Sequence, residues 1–422
     1  MRIVFFTHYY PPEVNAPASR ISEHCRAWVK AGHNVTVVTS APSHPLGIVY
    51  PGYKNKLFQR EVIDGVIVMR VWTYLAANQD FGLRTLNYLS FLLSSAMALL
   101  HIRRPDVFIS TSPQFFCGLS GLIAKTLRRV PWVLEVRDLW PESIVTVGAM
   151  REGAIIRLLE GLERLSYRQA DHVVAVTQSF VSHIAARCQG PEKISVVKNG
   201  ADLSFFVRGQ DGATVKRRFG LEGRFVAAYV GTHGMAHGLD TVLEAAQLLR
   251  NDTRIGFLMV GDGAERARLE ARRQKLKLDN VHFACQLPKS EMPAIWAATD
   301  ASMVLLRKSD TFTKVLPSKL FEAMAMECPV VLGVEGEARE LLEDAGAGIA
   351  IAPQNAEELA AAVVRLAEDA DFARQLGQQG SAYVRAHHDR AVLAASYLDI
   401  LEGVISQRPG SLDAETEGER AP

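Results

Sequence analysis

One glutamate, Glu322, lies in a stretch where a carboxylate is costly to bury. Residues 317–329 read Pro-Ser-Lys-Leu-Phe-Glu-Ala-Met-Ala-Met-Glu-Cys-Pro, which predicts a helix with Ser318 as N-cap and apolar side chains on nearly every face. Because an unpaired buried carboxylate is unfavourable, Glu322 is expected to hold a ligand such as sugar hydroxyls, close to a helix N-terminus suited to phosphate. The alternative is a structural glutamate that caps the helix or pairs with Lys314 or Lys319.

A second candidate is the segment Arg137-Asp138-Leu139-Trp140-Pro141-Glu142-Ser143, which directly follows the predicted strand Trp132–Val136. Ligands of open α/β sheets bind at the carboxyl ends of the strands, so this is a favourable position. Arg137 could bind a phosphate through its planar, permanently charged group, and Asp138 could orient an acceptor hydroxyl or act as a base. The alternative is a salt-bridged loop above Trp140.

Glycine-containing turns follow two predicted strands in the second half of the chain. They are Gly-Thr-His-Gly-Met-Ala-His-Gly at residues 231–238 and Gly261-Asp262-Gly263. Glycines let backbone N–H groups approach an anion, and Lys308, Lys314 and Lys319 add positive charge nearby. No Gly-x-Gly-x-x-Gly follows a first strand, so the pattern favours a nucleotide diphosphate over a dinucleotide, and it includes no Walker, His-Glu-x-x-His or Gly-x-Ser-x-Gly motif.

These segments are connected by two successive series of short apolar strands, each alternating with helical stretches. The first series is predicted at residues 3–6, 35–38, 66–71, 107–110, 132–136, 172–176 and 194–197, and the second at 225–230, 255–260, 281–284, 301–305, 330–332 and 348–351. Alternating strands and helices predict parallel sheets. The fold class is therefore α/β, with two Rossmann-like, doubly wound domains that face each other across a cleft. Residues 1–203 form the first domain, 204–390 the second, 391–406 a helix packing back across the join, and 407–422 a disordered tail.

The segment Thr85–Ile102 departs from this alternation. It carries no formal charge, and Arg84, Arg103 and Arg104 flank it. Three interpretations stay open: a buried crossover helix, an interfacial helix that dips into a membrane surface, and a membrane span of marginal length.

Composition excludes several classes of protein. The chain has 422 residues and a formal net charge of +1, which gives no indication of a nucleic-acid partner. Its five cysteines are scattered without a Cys-x-x-Cys pair, which argues against a disulfide framework or a zinc site and fits a reducing cytoplasm. The N-terminus lacks the pattern of a signal peptide and is predicted as a first strand.

Several motifs together resemble those of family 4 glycosyltransferases of the GT-B fold. They are Tyr-Pro-Pro at 10–12, Gly-His-Asn-Val-Thr-Val at 32–37, Asn-Gly-Ala-Asp at 199–202, Val-Gly-Asp-Gly at 260–263 and Pro-Ser-Lys-Leu-Phe-Glu-Ala-Met-Ala at 317–325. The segment 137–143, with Pro45-Leu46-Gly47 and Tyr53-Lys54, resembles a WbuB-like branch that makes bacterial surface polysaccharide.

The resemblance implies a metal-independent, retaining transferase of a hexose or an N-acetylated aminosugar. The donor would be a nucleotide-sugar, UDP-linked by expectation, bound by the second domain, with no further cofactor. The acceptor would be a lipid-linked saccharide of O-antigen or capsule, bound by the first domain. The enzyme would be cytoplasmic and peripheral at the inner membrane. The alternatives kept open are a non-hydrolysing nucleotide-sugar epimerase and a non-catalytic nucleotide-sugar-binding scaffold.

Carried over residue by residue, the resemblance assigns catalytic roles to Asp138, Arg137 and Glu322. The donor-binding positions it implies are Asn15, Ala16, Thr232, His233, Gly234, His237, Gly261, Asp262, Gly263, Lys314, Ser318, Lys319, Leu320 and Glu322. The chain departs from the family in three places. Asn15 and Ala16 replace paired glycines, Lys314 replaces the first glutamate of a Glu-x7-Glu motif, and the loop at 231–238 lacks the usual Arg and Lys. The positive charge for the departing diphosphate is therefore expected from Lys319, Lys314 and Arg137.

Overall fold

The computed structural model describes residues 1–76, 81–112, 114–146, 148, 150, 153–188 and 190–407. All but the first residue of the predicted disordered tail, 407–422, therefore lies outside the described residues. The described chain contains two open, twisted α/β sheets, and the core of each domain lies between its sheet and the flanking helices.

The first domain contains an eight-stranded sheet in the order β3-β4-β2-β1-β5-β6-β7-β8. Its strands are β1 (Arg2–Phe6), β2 (Asn34–Ser40), β3 (Phe58–Ile63), β4 (Val66–Val71), β5 (Val107–Thr111), β6 (Trp132–Val136), β7 (His172–Ala175) and β8 (Ile194–Val196). Its helices are α1 (Ala16–Lys30), α2 (Phe81–Ala98), α3 (Phe115–Arg128), α4 (Glu142–Thr146), α5 (Ala154–Gln169) and α6 (Ser179–Ala185). All pairs are parallel except β3–β4.

The second domain contains a parallel six-stranded sheet in the order β11-β10-β9-β12-β13-β14. Its strands are β9 (Phe225–Val230), β10 (Ile255–Val260), β11 (Val281–Ala284), β12 (Ala301–Leu305), β13 (Val330–Gly333) and β14 (Gly348–Ala350). Its helices are α7 (Gly212–Arg218), α8 (Asp240–Leu248), α9 (Arg266–Leu276), α10 (Met292–Ala297), α11 (Ser318–Ala325), α12 (Glu337–Ala345), α13 (Ala356–Glu368) and α14 (Ala370–His387). In both sheets the strand order reverses beside the first strand, which is the point where such sheets bind ligands.

The chain crosses between the domains at two adjacent segments. Ala201 N donates to His388 O at 3.0 Å, and Arg390 N donates to Ala201 O at 3.0 Å. The last helix, α15 (Arg390–Ser406), then packs against α1, and its buried side chains Ala394, Tyr397 and Leu401 join the core of the first domain.

The structure corrects two predictions about local structure. The strand β3 was not predicted, because Gln59, Arg60 and Glu61 interrupt its apolar residues at the antiparallel edge of the sheet. The α11 helix begins at Ser318 with Pro317 in the N-cap position, so Ser318 is not the predicted N-cap and no side chain caps the helix.

Candidate functional site

A cavity of about 360 Å³ lies between the domains at the carboxyl ends of the strands. We call it the cleft cavity. The first domain lines it with the start of α1 and with the residue that follows β6, and the second domain lines it with the ends of β9, β10 and β12 and the start of α11. The predicted site residues that line it are Asn15, Ala16, Arg137, Thr232, His237, Gly261, Asp262, Ser318, Lys319 and Glu322. The prediction that both domains contribute to one site therefore agrees with the geometry.

Lys319 brings a buried cation to the second-domain wall. Its Nζ lies 3.6 Å from the centre of the Tyr229 ring and has no hydrogen-bond partner among the described residues. Burial lowers the pKa of Lys319 to about 7, and the nearby Glu322 carboxylate opposes this shift. An ammonium group without a polar partner at a cavity wall is suited to bind an anion.

Gly231 makes room for this lysine. A Cβ atom built on Gly231 would lie 2.9 Å from Lys319 Nζ, and the residue has φ +140°. Gly261 allows the two turns to approach closely, since a Cβ atom built on it would lie 2.0 Å from Gly231 O. The glycines of the two turns therefore let the ends of β9 and β10 pack together under the lysine amine.

Arg137 brings the corresponding cation to the first-domain wall. Its Nε and Nη1 are buried without a hydrogen-bond partner in the described chain, and Nε lies 3.9 Å from Glu135 Oε1. Glu135 is itself fully buried and pairs with Arg20 at 3.1 Å. Burial lowers the pKa of Arg137 to about 10, so the guanidinium stays charged at neutral pH.

Glu322 lies on the same helix as Lys319, one turn further along, and also lines the cavity. The residue is half-buried rather than enclosed, which corrects the expectation of full burial. Burial raises its pKa to about 7, and the Lys289 ammonium opposes the shift. A carboxylate in this position can accept hydrogen bonds from hydroxyl groups of a ligand.

Asn15 is the N-cap of α1, and this explains its place beside the cavity. Its Oδ1 accepts the N–H of Ala18 at 2.9 Å, while its buried Nδ2 has no partner among the residues described. The cap therefore leaves one amide donor at the cavity wall.

The histidines of the loop after β9 do not supply the missing positive charge. His237 lines the cavity, but burial lowers its pKa to about 3. His233 was predicted to face the diphosphate; its ring is fully buried against Tyr229 and Phe283 and is not among the residues that line the cavity. Both rings are neutral at pH 7.

Asp138 does not line the cleft cavity. It lines a separate void of about 30 Å³ with Trp140 and Tyr167, and Arg137 is not among the residues that line this void. Burial raises its pKa to about 6, and a hydrogen bond from Ser143 opposes this. This position does not support the predicted catalytic role of Asp138.

Lys314 also lies outside the cleft cavity. Its Nζ lies 3.7 Å from Glu142 Oε1 of the first domain, so it pairs across the domain interface. The role of Lys314 toward the diphosphate is therefore not supported, and neither is its pairing with Glu322.

Three further predicted donor residues have structural positions. Leu320 is buried in the core of the second domain, and its N–H donates to Pro317 O at 3.1 Å. Gly263 packs against the backbone of His233, where a Cβ would lie 2.5 Å from the carbonyl oxygen. Gly234 lines a different cavity of about 320 Å³. None of the three lines the cleft cavity.

The sequence interpretation missed several lining residues. Gln286 and Lys289 follow β11, and each also joins the domains: Gln286 Nε2 donates to Val14 O at 2.7 Å, and Lys289 Nζ to Glu23 Oε1 at 2.5 Å. Their place at the carboxyl end of a predicted strand was the available signal. Phe206 and His44 also line the cavity from connecting segments, for which no sequence signal was available.

Two family models match the chain. The model described as "Glycosyl transferase 4-like domain" matches residues 15–200, and the one described as "Glycosyl transferases group 1" matches residues 213–383. Together they include both walls of the cleft cavity. The chain is a glycosyltransferase of the GT-B fold.

Relatives and solved structures agree with this assignment. The chain is 26% identical over 374 residues to a protein of Escherichia coli K12 described as "Putative colanic acid biosynthesis glycosyl transferase WcaI", and the match covers 86% of this chain and 91% of WcaI. The fold is similar to that of sucrose-phosphate synthase from Thermosynechococcus elongatus, with a TM-score of 0.75 and 18% identity. The match covers 96% of this chain and 100% of the synthase chain. It is also similar to Anabaena HepE in complex with UDP and glucose, with a TM-score of 0.72, 18% identity and coverage of 95% and 99%.

Proposed function

We propose that this glycosyltransferase moves a sugar from a UDP-linked donor to a lipid-linked saccharide. The acceptor belongs to a bacterial surface polysaccharide of the O-antigen or capsule type. Transfer retains the anomeric configuration and needs no metal ion. The enzyme works at the cytoplasmic face of the inner membrane.

The observation that carries the proposal is the pair of cations at the cleft cavity, Lys319 from the second domain and Arg137 from the first. Both have buried nitrogen atoms without hydrogen-bond partners within the described ranges of the chain. A diphosphate carries two or more negative charges, so it would satisfy both groups at once. The carboxylate of Glu322 is then available to the ribose hydroxyls.

The same two cations account for the chemistry of transfer. The bond between the anomeric carbon and the diphosphate oxygen breaks, and its electron pair leaves with the diphosphate. A bond forms from the acceptor hydroxyl oxygen to the anomeric carbon, and the hydroxyl proton leaves with the departing group or solvent. Lys319 and Arg137 stabilise the charge that develops on the diphosphate, in place of a metal ion.

Two comparisons support the choice of substrates. HepE, which shares the fold, was solved with UDP and glucose, and WcaI is described by its role in colanic acid biosynthesis. The WbuB-like motifs add the N-acetylated aminosugar as a candidate for the transferred group, so UDP-N-acetylglucosamine belongs in the donor panel beside UDP-glucose.

The test is product analysis with purified protein, a panel of UDP-, dTDP-, GDP- and ADP-sugars, and lipid-linked saccharides extracted from bacterial membranes. We expect a UDP-sugar to yield a glycosylated lipid whose new linkage keeps the donor's anomeric configuration by NMR, with and without EDTA. Transfer from a donor with another nucleotide would overturn the UDP assignment. Inversion, or loss of activity in EDTA, would overturn the proposed mechanism.

A further inference from the structure

The helix α2 buries several polar side chains beside the apolar Phe91 and Ala98 and exposes large apolar ones, which is unusual for a surface helix of a water-soluble domain. Its buried side carries the polar residues Asn87, Ser90, Ser94 and Ser95. Its exposed side, continued by the turn at Leu99–His101, carries a row of large apolar side chains at helical spacing. We call this row the leucine stripe: Leu83, Leu86, Leu89, Leu93, Met97 and Leu100.

Asn87, Ser90 and Ser95 have hydrogen-bond partners within the protein. Ser90 Oγ accepts the N–H of Tyr74 at 2.8 Å and donates to Asn87 O at 2.7 Å, and Ser95 Oγ lies 2.8 Å from Ser120 Oγ of α3. These contacts fix the rotation of α2, so the stripe stays on the outside. Leu93 is 67% exposed and Leu100 is 83% exposed. A contiguous exposed row of this kind indicates an interaction surface.

The charge around the stripe is one-sided. From Phe81 to Leu134 the sequence contains six Lys and Arg residues, and Asp106 is its single acidic residue. Arg103, Arg104 and Arg129 are exposed where α2 and α3 end, and Leu127 beside them is 65% exposed. Apolar side chains with arginines at one end are suited to a surface that is apolar inside and negatively charged outside.

The packing of α2 excludes a span across the membrane for the helix in this fold. Residues Gly82–His101 are long and apolar enough to cross a bilayer by length and composition, but 39% of the window is buried inside the protein. One side of α2 packs on α3, β4 and β2. Only the stripe is therefore available to lipid, which fits a helix lying in the plane of the interface.

We propose that α2 docks the first domain on an anionic lipid bilayer. The leucine stripe enters the boundary of the acyl chains, and Arg103, Arg104 and Arg129 contact the headgroups. A second copy of the chain fits this surface less well, because pairing stripe to stripe would bring two cationic surfaces together.

The direction of α2 connects this surface to the cleft. Tyr88, in its first half, packs edge-on against His8 at 5.1 Å between ring centres, and His8 follows the carboxyl end of β1. The first half of the helix therefore lies on the cleft side of the sheet, and docking holds the cleft opening beside the membrane. That a lipid-linked acceptor enters there rests on the proposed function, whereas docking itself does not.

The test is flotation of the full chain with vesicles of phosphatidylethanolamine and phosphatidylglycerol, with phosphatidylcholine vesicles for comparison. We expect flotation with the anionic vesicles at low salt. The double variant Leu93→Glu/Leu100→Glu should lose about tenfold or more of its partitioning, because two side chains no longer leave water. In Arg103→Gln/Arg104→Gln, partitioning into anionic vesicles should fall about fivefold for each arginine removed, and partitioning into phosphatidylcholine vesicles should not change. Leu248→Glu, at a leucine that is 57% exposed on the second domain, is the matched control and should float like the wild type.

Three results would overturn docking. The first is that the wild-type protein stays in solution with anionic vesicles. The second is that the leucine double variant floats as well as the wild type. The third is that the wild type forms a dimer in solution, the double variant is monomeric, and neither protein floats. Thermal stabilisation by UDP is measured on the same proteins. A double variant that is still stabilised by UDP is folded and keeps its donor site, so failure of docking is distinguished from failure of the proposed function.

Discussion

The two walls of the cleft cavity each supply one cation, but they hold it in different ways. Arg137 lies next to Glu135, which is in turn paired with Arg20, so counter-charge is built into the first-domain wall. Lys319 rests on the ring of Tyr229 without a hydrogen-bond partner among the described residues, and its pKa is lowered to about 7.

As a result, the charge of Arg137 is permanent at neutral pH, whereas the charge of Lys319 depends on pH and on the ligand. The pKa of Arg137, about 10, keeps that side chain charged at neutral pH. The lysine is charged in only part of the free protein at pH 7, and an anion beside it raises its pKa. The positive charge of the second-domain wall therefore depends on the ligand, whereas that of the first-domain wall is present before the ligand binds.

The largest expected effect is the loss of either cation. Lys319→Met and Arg137→Met should each lower kcat about 100- to 1,000-fold, because each removes charge that stabilises the departing diphosphate. The measurement is initial transfer rates at saturating donor. The matched control is Lys314→Met, at a lysine near the same helix but outside the cavity, which should change the rate about fivefold or less because it breaks only a partly exposed ion pair with Glu142. Equal losses in Lys314→Met and Lys319→Met would contradict the assignment.

Glu322→Gln should weaken donor binding about tenfold to a hundredfold while keeping the size of the side chain. The physical reason is the loss of a charged acceptor for the ribose hydroxyls. Calorimetric Kd values for UDP measure it. Glu327→Gln is the control, because Glu327 follows the same helix and pairs with Arg208 at 2.7 Å outside the cavity. A Kd that is unchanged in Glu322→Gln would leave this glutamate with a structural role.

Donor affinity should be highest near pH 7. A bound diphosphate raises the pKa of Lys319 above its free value of about 7. The contribution of Lys319 to donor affinity is therefore complete below pH 7 and is lost as pH rises through the pKa of the complex. Hydrogen bonds from ribose lower the pKa of Glu322 below its free value of about 7. The contribution of Glu322 to donor affinity is therefore complete above pH 7 and is lost as pH falls. On the acidic side and on the alkaline side of this optimum, the donor Kd should change by at most about tenfold per pH unit.

The measurement is the Kd of UDP-glucose against pH, since its diphosphate has no terminal phosphate group that titrates near pH 6. Lys319→Met should remove the alkaline limb, and Glu322→Gln should remove the acidic limb. A profile that keeps both limbs in both variants would show that other groups control binding.

The smallest effect is expected at Asp138. Asp138→Asn should leave the Kd of UDP-glucose within about twofold, because the side chain faces a separate void and binds Ser143 rather than the cleft. A tenfold change in Kd, with an unchanged melting temperature, would contradict this position and show that Asp138 contributes to donor binding.

Much of the framework follows from the sequence, because buried parallel strands are short apolar runs with turn residues at both ends. The runs at Trp132–Val136, Phe225–Val230 and Ile255–Val260 coincide with β6, β9 and β10. The strand β3 has Arg60 and Glu61 in its middle, so its edge position could not be recognised from hydrophobicity.

The site is harder to predict, since neighbouring residues point in opposite directions where a strand ends. Arg137 and Asp138 follow the same strand and carry equally plausible chemistry, yet Arg137 alone lines the cleft cavity. His233 and His237, in one loop, also have different surroundings, because the ring of His233 packs inward on Phe283 whereas His237 lines the cavity. For α2 the sequence showed an uncharged segment at Thr85–Ile102, but only the structure shows that serines of this helix are buried and several of its leucines exposed.

The central claim is that cations from both domains bind one diphosphate in the cleft cavity. The most direct test is calorimetric titration of UDP and of uridine into the wild type, Lys319→Met, Arg137→Met and the double variant. We predict that UDP binds the wild type far more tightly than uridine does, and that each substitution removes a large part of this difference. UDP and uridine binding with equal affinity to the wild type, or a difference that survives in the double variant, would contradict the claim.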